Sequence, residues 1–585
     1  MKVKLKDRRH LILSAQGKEK NDLKIINCKV LNVFTGKIEQ EDIYITDGFI
    51  SYVGKEELDT KEIYDAKGAF VIPGLIDSHV HIESSMLHPA NFAKVVLPWG
   101  TTTIINDPHE IGNVLGVDGV RYMIKKGEGI PMRQLFDIPS CVPSLKGKEN
   151  AGATFYSKEI KELSKEERVI GLAEVMDYVS LLNGDQWILD ILDTAEEEGL
   201  MIQGHAPSLT GKELSAYLCA GPNTDHETRD TSEASDKLKR GMRIDIRESS
   251  IAKNVKEIFE GVKDSRYYDQ LSFCTDDREA DDILKNGHLN VVLNKAIASG
   301  MDPIDAIKCA TYNAAKEAHL ENIGAVASGY TADLILLDDL SKIDPKAVFF
   351  MGELVAENGR LCVDIEDRAL EEEGINTIKI NDISIDDLTL KAKVKDGSVL
   401  CNVMSYENEN GSLSSLKQIE LEVEDHIVKL RDDFKFVAVI NRYGTGDICL
   451  GVVENFGSKR GALASTVSHD CHNLTVVFDD PVNALICVKE IQRVGGGMCA
   501  VLDNRVLYTL ALPLAGLMSL KGAEELSKDI EAMKDADREL GLTSLENPLL
   551  RIVTLALPVI PFVKFSDLGM IDVLKKEFIP VLLED

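Results

Sequence analysis

The sequence contains no apolar run long enough to cross a membrane. The nearest candidate, Ile552 to Val563, is short and is interrupted by Pro558 and Pro561, whereas a spanning helix needs about 18 consecutive apolar residues or more. The charged N-terminus leads only into the brief apolar Leu11-Ile12-Leu13, which is too short for the apolar part of a secretory signal. We therefore expect a cytoplasmic protein that has no membrane partner.

The sequence also lacks closely spaced cysteine pairs and an excess of positive charge. The eleven cysteines include no C-x-x-C pair, and their odd number favours reduced thiols over a disulfide framework. The formal net charge is −31, so the surface field repels phosphate backbones. Polymeric nucleic acid is therefore not an expected partner, whereas a small neutral substrate remains compatible with this charge.

The chain is long enough for several domains, and short β segments occur in two separate parts of it. At 585 residues it exceeds one ordinary core, and 44% hydrophobic with 28% charged residues describes a globular protein. Alternating segments separated by turns predict a small antiparallel β unit in residues 1–74 and another in 323–372. We expect the two to form one discontinuous β-sandwich domain around a large insert.

The insert, residues 75–322, alternates strand and helix candidates and predicts an α/β fold, a TIM-like (β/α)8 barrel. Helices are expected between most of the strands, for example at Gln186–Glu198 and Ile251–Val262, and a last one at Pro303–Leu320. The eight strand candidates are Leu75–His81, Thr101–Asn106, Arg133–Pro139, Val169–Met176, Leu200–Gly204, Pro222–His226, Met242–Arg247 and Leu271–Thr275.

Residues 380–585 form a third region, for which we expect an additional C-terminal α+β domain. An acidic linker, Glu366 to Gly374, precedes it, and a late helix is expected at Ala523–Leu540. The β-rich stretches are Leu388–Val394, Phe434–Asn441, Asn473–Phe478, Ala484–Gln492 and Ala500–Leu502.

Side chains that bind metals recur at the ends of the predicted barrel strands. In a (β/α)8 barrel these ends lie at one rim, where the chemistry takes place. A single His-x-His would be explained by two hydrogen-bonded histidines, but six such residues at one rim predict a metal site. They are His79, His81, Glu174, His205, His226 and Asp276.

Four imidazoles and two carboxylates are more ligands than one tetrahedral ion needs. We expect His79, His81 and Asp276 on one ion, and His205 with His226 on the other. Glu174 would bridge the two. Such a pair of ions generates a nucleophile from water at neutral pH. Nitrogen and oxygen ligands without thiolate admit zinc, iron(II) or manganese(II).

These residues belong to stretches that resemble the amidohydrolase superfamily of metal-dependent hydrolases and, within it, the adenine deaminase family. The stretches span nearly the whole chain: Pro73-Gly74-Leu75-Ile76-Asp77-Ser78-His79-Val80-His81-Ile82-Glu83-Ser84-Ser85-Met86, Gly100-Thr101-Thr102-Thr103, Asn106-Asp107-Pro108-His109-Glu110-Ile111-Gly112-Asn113, Gly204-His205-Ala206-Pro207, Cys274-Thr275-Asp276-Asp277 and Ser468-His469-Asp470-Cys471-His472-Asn473.

The resemblance implies hydrolysis of adenine to hypoxanthine and ammonia by a metal-bridging hydroxide at a binuclear centre. Manganese is the expected metal, with iron(II) or zinc as alternatives, and a homodimer is expected. Many superfamily members carry a carboxylated lysine on the fourth strand. The glutamate at position 174 instead favours a deaminase over a hydantoinase or dihydroorotase.

Attack at C6 of the purine requires a proton on N1, and the amine must leave as ammonia. We expect Asp276 to shuttle the proton of the nucleophile and Glu83 to protonate N1, with Glu110 and Glu227 as alternatives. Glu83 could instead orient a histidine. Asp107 and Glu110 are candidate substrate-binding residues.

The Ser468–Asn473 loop contains the residue types of a nucleophilic triad, but neighbours in sequence do not produce triad geometry. We expect this loop to cover the barrel mouth or to have a structural role in the third domain.

Two other functions are compatible with the same scaffold. The first is hydrolysis of an amide, as by an amino-sugar deacetylase or cyclic amidase. The second is a non-catalytic scaffold, which the retention of all six candidate ligands disfavours. The P-C-x-x-C element of the small zinc cytidine deaminases is absent.

Overall fold

The structure is a computed structural model of mixed α/β architecture. It describes residues 1–250, 252–366, 374–407, 414–431, 433–545, 547–560 and 562–584. Within these ranges, no helix combines the length and the apolar character that crossing a membrane requires.

The chain begins with a helix, α1 (Arg8–Ala15), and five strands of a mixed sheet. Strand β1 pairs antiparallel with β2, but it pairs parallel with β4 and β5. The prediction of a purely antiparallel unit was therefore wrong. A bulge between Ile25 and Cys28 divides β1, and β4 and β5 pair on either side of it. The strands are β1 Asn21–Asn32, β2 Lys37–Thr46, β3 Phe49–Gly54, β4 Thr60–Asp65 and β5 Phe70–Pro73.

Eight parallel strands follow, each within two residues of its predicted bounds. Strands β6 to β10 form one sheet and β11 to β13 another. A parallel bridge between Val80 and Asp276 joins the end of β13 to that of β6, and the Asp276 amide donates to the His79 carbonyl at 3.0 Å. The strands are β6 Leu75–Val80, β7 Thr101–Asn106, β8 Arg133–Ile138, β9 Val169–Val175, β10 Met201–Gly204, β11 Thr224–Asp225, β12 Arg243–Arg247 and β13 Leu271–Cys274.

Helices alternate with these strands as expected. The predicted helix at Ile251–Val262 begins later, at Val255, and Ile251 itself lies outside the described residues. The predicted Pro303–Leu320 helix contains a π-helical turn at Cys309–Asn313. The helices are α2 Pro89–Val96, α3 His109–Lys126, α4 Ser157–Leu163, α5 Tyr178–Asn183, α6 Gln186–Glu197, α7 Gly211–Cys219, α8 Thr231–Lys239, α9 Val255–Val262, α10 Ala280–Asn286, α11 Leu289–Ala298, α12 Pro303–Lys308 and α13 Ala314–Glu317.

The second β segment completes the first sheet. Strand β14 runs antiparallel to β5, with Leu336 opposite Val71, so two segments that are distant in sequence share one sheet, which has nine strands among the described residues. The added strands are β14 Leu334–Leu337, β15 Ala347–Phe350, β16 Glu353–Glu357 and β17 Arg360–Leu361. Residues 367–373, most of the predicted acidic linker, lie outside the described residues.

The C-terminal region combines a large sheet, a small one and three helices. Its described strands are β18 Gly397–Tyr406, β19 Ser414–Glu424, β20 Ile427–Val428, β21 Phe434–Ile440, β22 Ile448–Glu454, β23 Ala462–Ser465, β24 Leu474–Phe478, β25 Gly497–Leu502, β26 Arg505–Ala511, β27 Val563–Ser566, β28 Gly569–Asp572, β29 Glu577–Ile579 and β30 Leu582–Leu583. Its helices are α14 Pro481–Val494, α15 Ala523–Leu540 and α16 Leu550–Val553.

Two strand predictions in this region were wrong. Ala484–Gln492 lies inside α14, whose buried residues recur at helical spacing and whose start is capped by the Asp480 side chain. Leu388–Val394 is not a strand, because a 3-10 turn at Asp386–Leu388 is followed only by an isolated bridge between Lys391 and Ile427. The late helix was predicted with its observed bounds.

Candidate metal centre

His79 and His81 lie side by side at the end of β6. Their Nε2 atoms are 3.1 Å apart, as alternation along an extended strand requires. The His79 Nδ1 lies 2.6 Å from the Gln203 side-chain oxygen and the His81 Nδ1 lies 2.9 Å from the Asp107 carbonyl. Each Nδ1 therefore donates a hydrogen, and in the neutral form of such a ring Nε2 carries the lone pair that binds a metal.

Glu174, at the end of β9, lies between two pairs of histidines. Its Oε1 is 3.7 Å from His79 Nε2 and 3.5 Å from His81 Nε2. Its Oε2 is 3.2 Å from His226 Nε2 and also contacts His205 Nδ1. Burial raises the pKa of Glu174, but His205 and His226 outweigh burial and hold this pKa well below its usual value. The carboxylate is thus ionised, with one oxygen toward each pair.

Asp276 follows β13 and faces the first pair of histidines. Its Oδ1 is 3.2 Å from His81 Nε2 and 4.0 Å from His79 Nε2, while its Oδ2 accepts from the Arg247 guanidinium. Burial raises the pKa of Asp276, but Arg247 outweighs burial and lowers this pKa well below the usual range. Arg247 was not among the predicted site residues. Its place at the end of the predicted Met242–Arg247 strand is the sequence signal that could have found it.

The six predicted ligands therefore meet in one buried cluster. Two imidazole nitrogens 3.1 Å apart, with carboxylate oxygens opposite them, are donor atoms that one cation could bind together. Two groups have one nitrogen or oxygen atom per residue within 4.8 Å of one another, as a shared ion requires: His79, His81, Asp107 and Glu174, and His79, His226 and Asp276. This donor set fits divalent zinc, iron or manganese.

Two glutamates lie beside the cluster. Glu83, in the 3-10 turn after His81, accepts from the Ile111 amide at 3.3 Å through Oε1. Glu110 accepts from the Ser84 hydroxyl at 2.9 Å, also through Oε1. In both residues Oε2 is buried without a hydrogen-bond partner among the described residues. Burial, reinforced by Glu110, raises the pKa of Glu83 to about 8.

The other two predicted candidates are engaged by neighbours. Both carboxylate oxygens of Asp107 face His109, at 3.0 Å from its amide and 2.9 Å from its Nδ1. Glu227 is ion-paired with Arg247 and Arg229. Burial raises the pKa of Glu227, but Arg247 outweighs burial and lowers it far below its usual value.

The C-terminal region reaches this site through the Ser468–Asn473 loop. His469 Nδ1 is 3.4 Å from Glu110 Oε1, and Asp470 Oδ1 is 3.7 Å from His109 Nε2. These contacts place the loop beside His109 and Glu110, and its role over the barrel mouth stays a prediction. Sequence reasoning assigned no role to Asp470 or His472.

The chain resembles known proteins along nearly its whole length. Residues 70–355 match the Amidohydrolase family and residues 413–577 match the Adenine deaminase C-terminal domain. The chain is 38% identical to Adenine deaminase 2 of Carboxydothermus hydrogenoformans, over 99% of this chain and 100% of that protein. It is 39% identical to Adenine deaminase of Thermosipho africanus, over 97% and 98% of the two chains. A solved structure, the beta-aspartyl dipeptidase of Fervidobacterium islandicum AW-1, aligns with a TM-score of 0.46 at 19% identity, over 59% of this chain and 100% of that chain.

Proposed function

The chain belongs to the adenine deaminase family, and on that premise we propose that it hydrolyses adenine to hypoxanthine and ammonia. The reaction takes place at a binuclear centre of divalent transition metals. We propose manganese as the metal, with iron(II) or zinc as alternatives. The ligands are His79, His81, Glu174, His205, His226 and Asp276.

The position of Glu174 is the observation that supports this proposal most. Its two oxygens face different pairs of histidines, His79 with His81 and His205 with His226. One ion needs only one of these pairs and a carboxylate oxygen, whereas two ions that share Glu174 use all four imidazoles.

When bound, two such ions supply the Lewis acidity that lowers the pKa of a water molecule toward neutrality. Asp276 accepts the proton of the attacking water and delivers it to the leaving amine. Arg247 holds the second oxygen of Asp276, so the carboxylate is ionised before the attack and its other oxygen keeps one orientation.

Protonation of the ring nitrogen N1 is the task we propose for Glu83, because it lies two residues after His81, in the 3-10 turn that follows, and its Oε2 is unpaired among the described residues. Glu110, whose Oε2 is likewise unpaired, contacts the substrate. The Asp107 carbonyl accepts a hydrogen bond from His81, and its carboxylate is hydrogen-bonded to His109. We therefore propose that Asp107 acts on the substrate through these two histidines.

We also propose the domain organisation. Residues 1–74 and 323–372 form a discontinuous β domain, built on one shared sheet rather than the sandwich expected from the sequence, around a (β/α)8 barrel at 75–322; a C-terminal domain follows at 380–585. The pairing of β5 with β14 and the bridge between Val80 and Asp276 support this division. We propose a cytoplasmic location, which the eleven free thiols support, and a homodimer, which sedimentation of the purified protein tests.

The function is tested by ammonia release from adenine, adenosine, cytosine, guanine and acetylglucosamine phosphate with manganese supplied. We expect turnover of adenine. Hydrolysis of the acetylated sugar without turnover of adenine would select an amide hydrolase instead. Inactivity on all five, with about two metal ions bound per chain, would contradict the proposed substrate while leaving the centre in place.

A further inference from the structure

Several buried polar atoms without partners belong to residues where the C-terminal loop meets the barrel. Native proteins pair most buried polar atoms, so unpaired ones call for an explanation such as a bound ligand or water. Among the described residues, five such atoms surround this boundary: Glu83 Oε2, Glu110 Oε2, His109 Nε2, Asp470 Oδ2 and His472 Nε2.

The position of the proton on His472 follows from its other nitrogen. The Ser468 amide donates to His472 Nδ1 at 3.2 Å, so Nδ1 has no proton. Burial lowers the pKa of His472 well below its usual value, and the neutral ring must then carry its single proton on Nε2. His472, which is fully buried, therefore presents an unused N–H donor.

Asp470 presents the complementary group from the same loop. Its Oδ1 lies 3.7 Å from His109 Nε2 and 3.6 Å from His469 Nδ1. Burial raises the pKa of Asp470, but His109 and His469 outweigh burial and lower it far below the usual range. Asp470 is thus a carboxylate that can only accept, and its Oδ2 is unused.

A purine edge has a donor and an acceptor that are separated by one carbon atom. In free adenine, N9–H donates and N3 accepts on the edge that lies away from C6. We propose that Asp470 accepts from N9–H and that His472 donates to N3, so that the C-terminal loop is the part of the active site that selects the free base. This inference rests on the proposed function.

The arrangement agrees with the positions of the other unpaired atoms. Glu83 and Glu110 belong to barrel segments beside the metal ligands, and they serve the N1 and amino end of the base. The nitrogen and oxygen atoms of Glu110, His469 and His472 lie within 4.8 Å of one another, so the loop borders the same space. A purine substituted at N9 has no hydrogen to donate and would cover Asp470 Oδ2 without pairing it, which costs affinity.

The test combines loop variants with altered substrates. Asp470→Ala should lower kcat/KM for adenine by about 10- to 100-fold, the range for loss of a hydrogen bond to a charged group. For 9-methyladenine, the kcat/KM of the same variant should equal or exceed that of the wild type, because the missing carboxylate leaves room for the methyl group. His472→Gln should lower kcat/KM for adenine and cause no further loss with 3-deazaadenine, which lacks N3.

Asp479→Asn is the matched control, because this carboxylate of the same domain binds the Gly461 amide at 3.0 Å and lies outside the loop. It should leave the ratio of adenine to 9-methyladenine unchanged. Equal loss on both substrates in Asp470→Ala, or additive losses in His472→Gln with 3-deazaadenine, would overturn the inference. If Asp470→Ala does not fold, Asp470→Asn is compared in the same way. An enzyme inactive on adenine in wild-type form would contradict the proposed function instead, so the two failures are distinguishable.

Discussion

The metal-ligand cluster and the Ser468–Asn473 loop contain the same residue types, but their protons lie in different places. At His79 and His81 the Nδ1 atoms donate to neighbours, so the Nε2 atoms, 3.1 Å apart, are the ones that face the site. At His472, Nδ1 accepts and Nε2 keeps the proton. The first arrangement offers nitrogens to a cation and the second offers a hydrogen to an acceptor. The partner of the other ring nitrogen therefore decides what a buried histidine can bind.

Among the variants considered, Glu174→Gln should have the largest effect on metal binding and deamination. Glu174 is the carboxylate that contacts both histidine pairs. We expect metal content to fall from about two ions per chain to one or none, and deamination to fall below detection. Elemental analysis and ammonia release measure the two outcomes.

The control is Glu149→Gln, a buried carboxylate that binds the Ser144 hydroxyl and the Leu145 amide at 2.6 and 2.8 Å. This variant should keep both ions. If Glu174→Gln also kept both ions, Glu174 would not bridge them.

Asp276→Asn should have the next largest effect. Loss of a positioned proton-transfer group lowers turnover by about 10²- to 10⁴-fold, and we expect the protein to remain folded by circular dichroism. The neighbouring Asp277→Asn is the control, since Asp277 binds the Ser84 hydroxyl at 2.5 Å. It should cost less than Asp276→Asn, and normal turnover in Asp276→Asn would remove that residue from the mechanism.

The sequence predicted features that depend on local patterns better than features that depend on contacts between distant residues. The barrel strands and the six clustered side chains follow from local patterns, because a strand ends where its apolar run ends and fold geometry brings these ends together. The helix at Pro481–Val494 was mistaken for a strand because its apolar residues form short runs that suit both structures. The contact of Arg247 with Asp276 joins residues that are distant in sequence. The proposed donor role of His472 depends on which ring nitrogen carries the proton. The spacing of residues in the sequence predicts neither.

Glu83→Gln tests the barrel side of the proposed purine pocket. A neutral amide of the same size cannot donate the acid proton, so we expect kcat to fall by about 10²-fold or more while the affinity for adenine changes little. Steady-state kinetics together with equilibrium binding of adenine separate the two quantities. Weakened binding with unchanged kcat would instead assign Glu83 to substrate contact and leave N1 to another acid.

Lys534→Met should change deamination least, and it tests whether the two regions act as one site. Lys534 of α15 binds Glu279 Oε2 and Asp281 Oδ2, both at 2.7 Å, and Glu279 lies three residues after Asp276. Breaking a buried ion pair by removing one partner destabilises a protein by about 3 kcal/mol or more, so urea should unfold the variant at a lower concentration. The metal ligands are untouched, and metal content should stay at the wild-type value.

The exposed Lys528 of the same helix provides the control variant, Lys528→Met, which should match the wild type in both measurements. The ratio of adenine turnover to 9-methyladenine turnover measures whether the loop still selects the base. If docking of α15 holds the loop over the barrel, this ratio falls in Lys534→Met while the metals remain, because in the proposed site the loop selects the base and barrel residues hold the ions. An unchanged ratio in a destabilised variant would mean that the loop is positioned by its own contacts with Glu110 and His109, and that Lys534 contributes to stability alone.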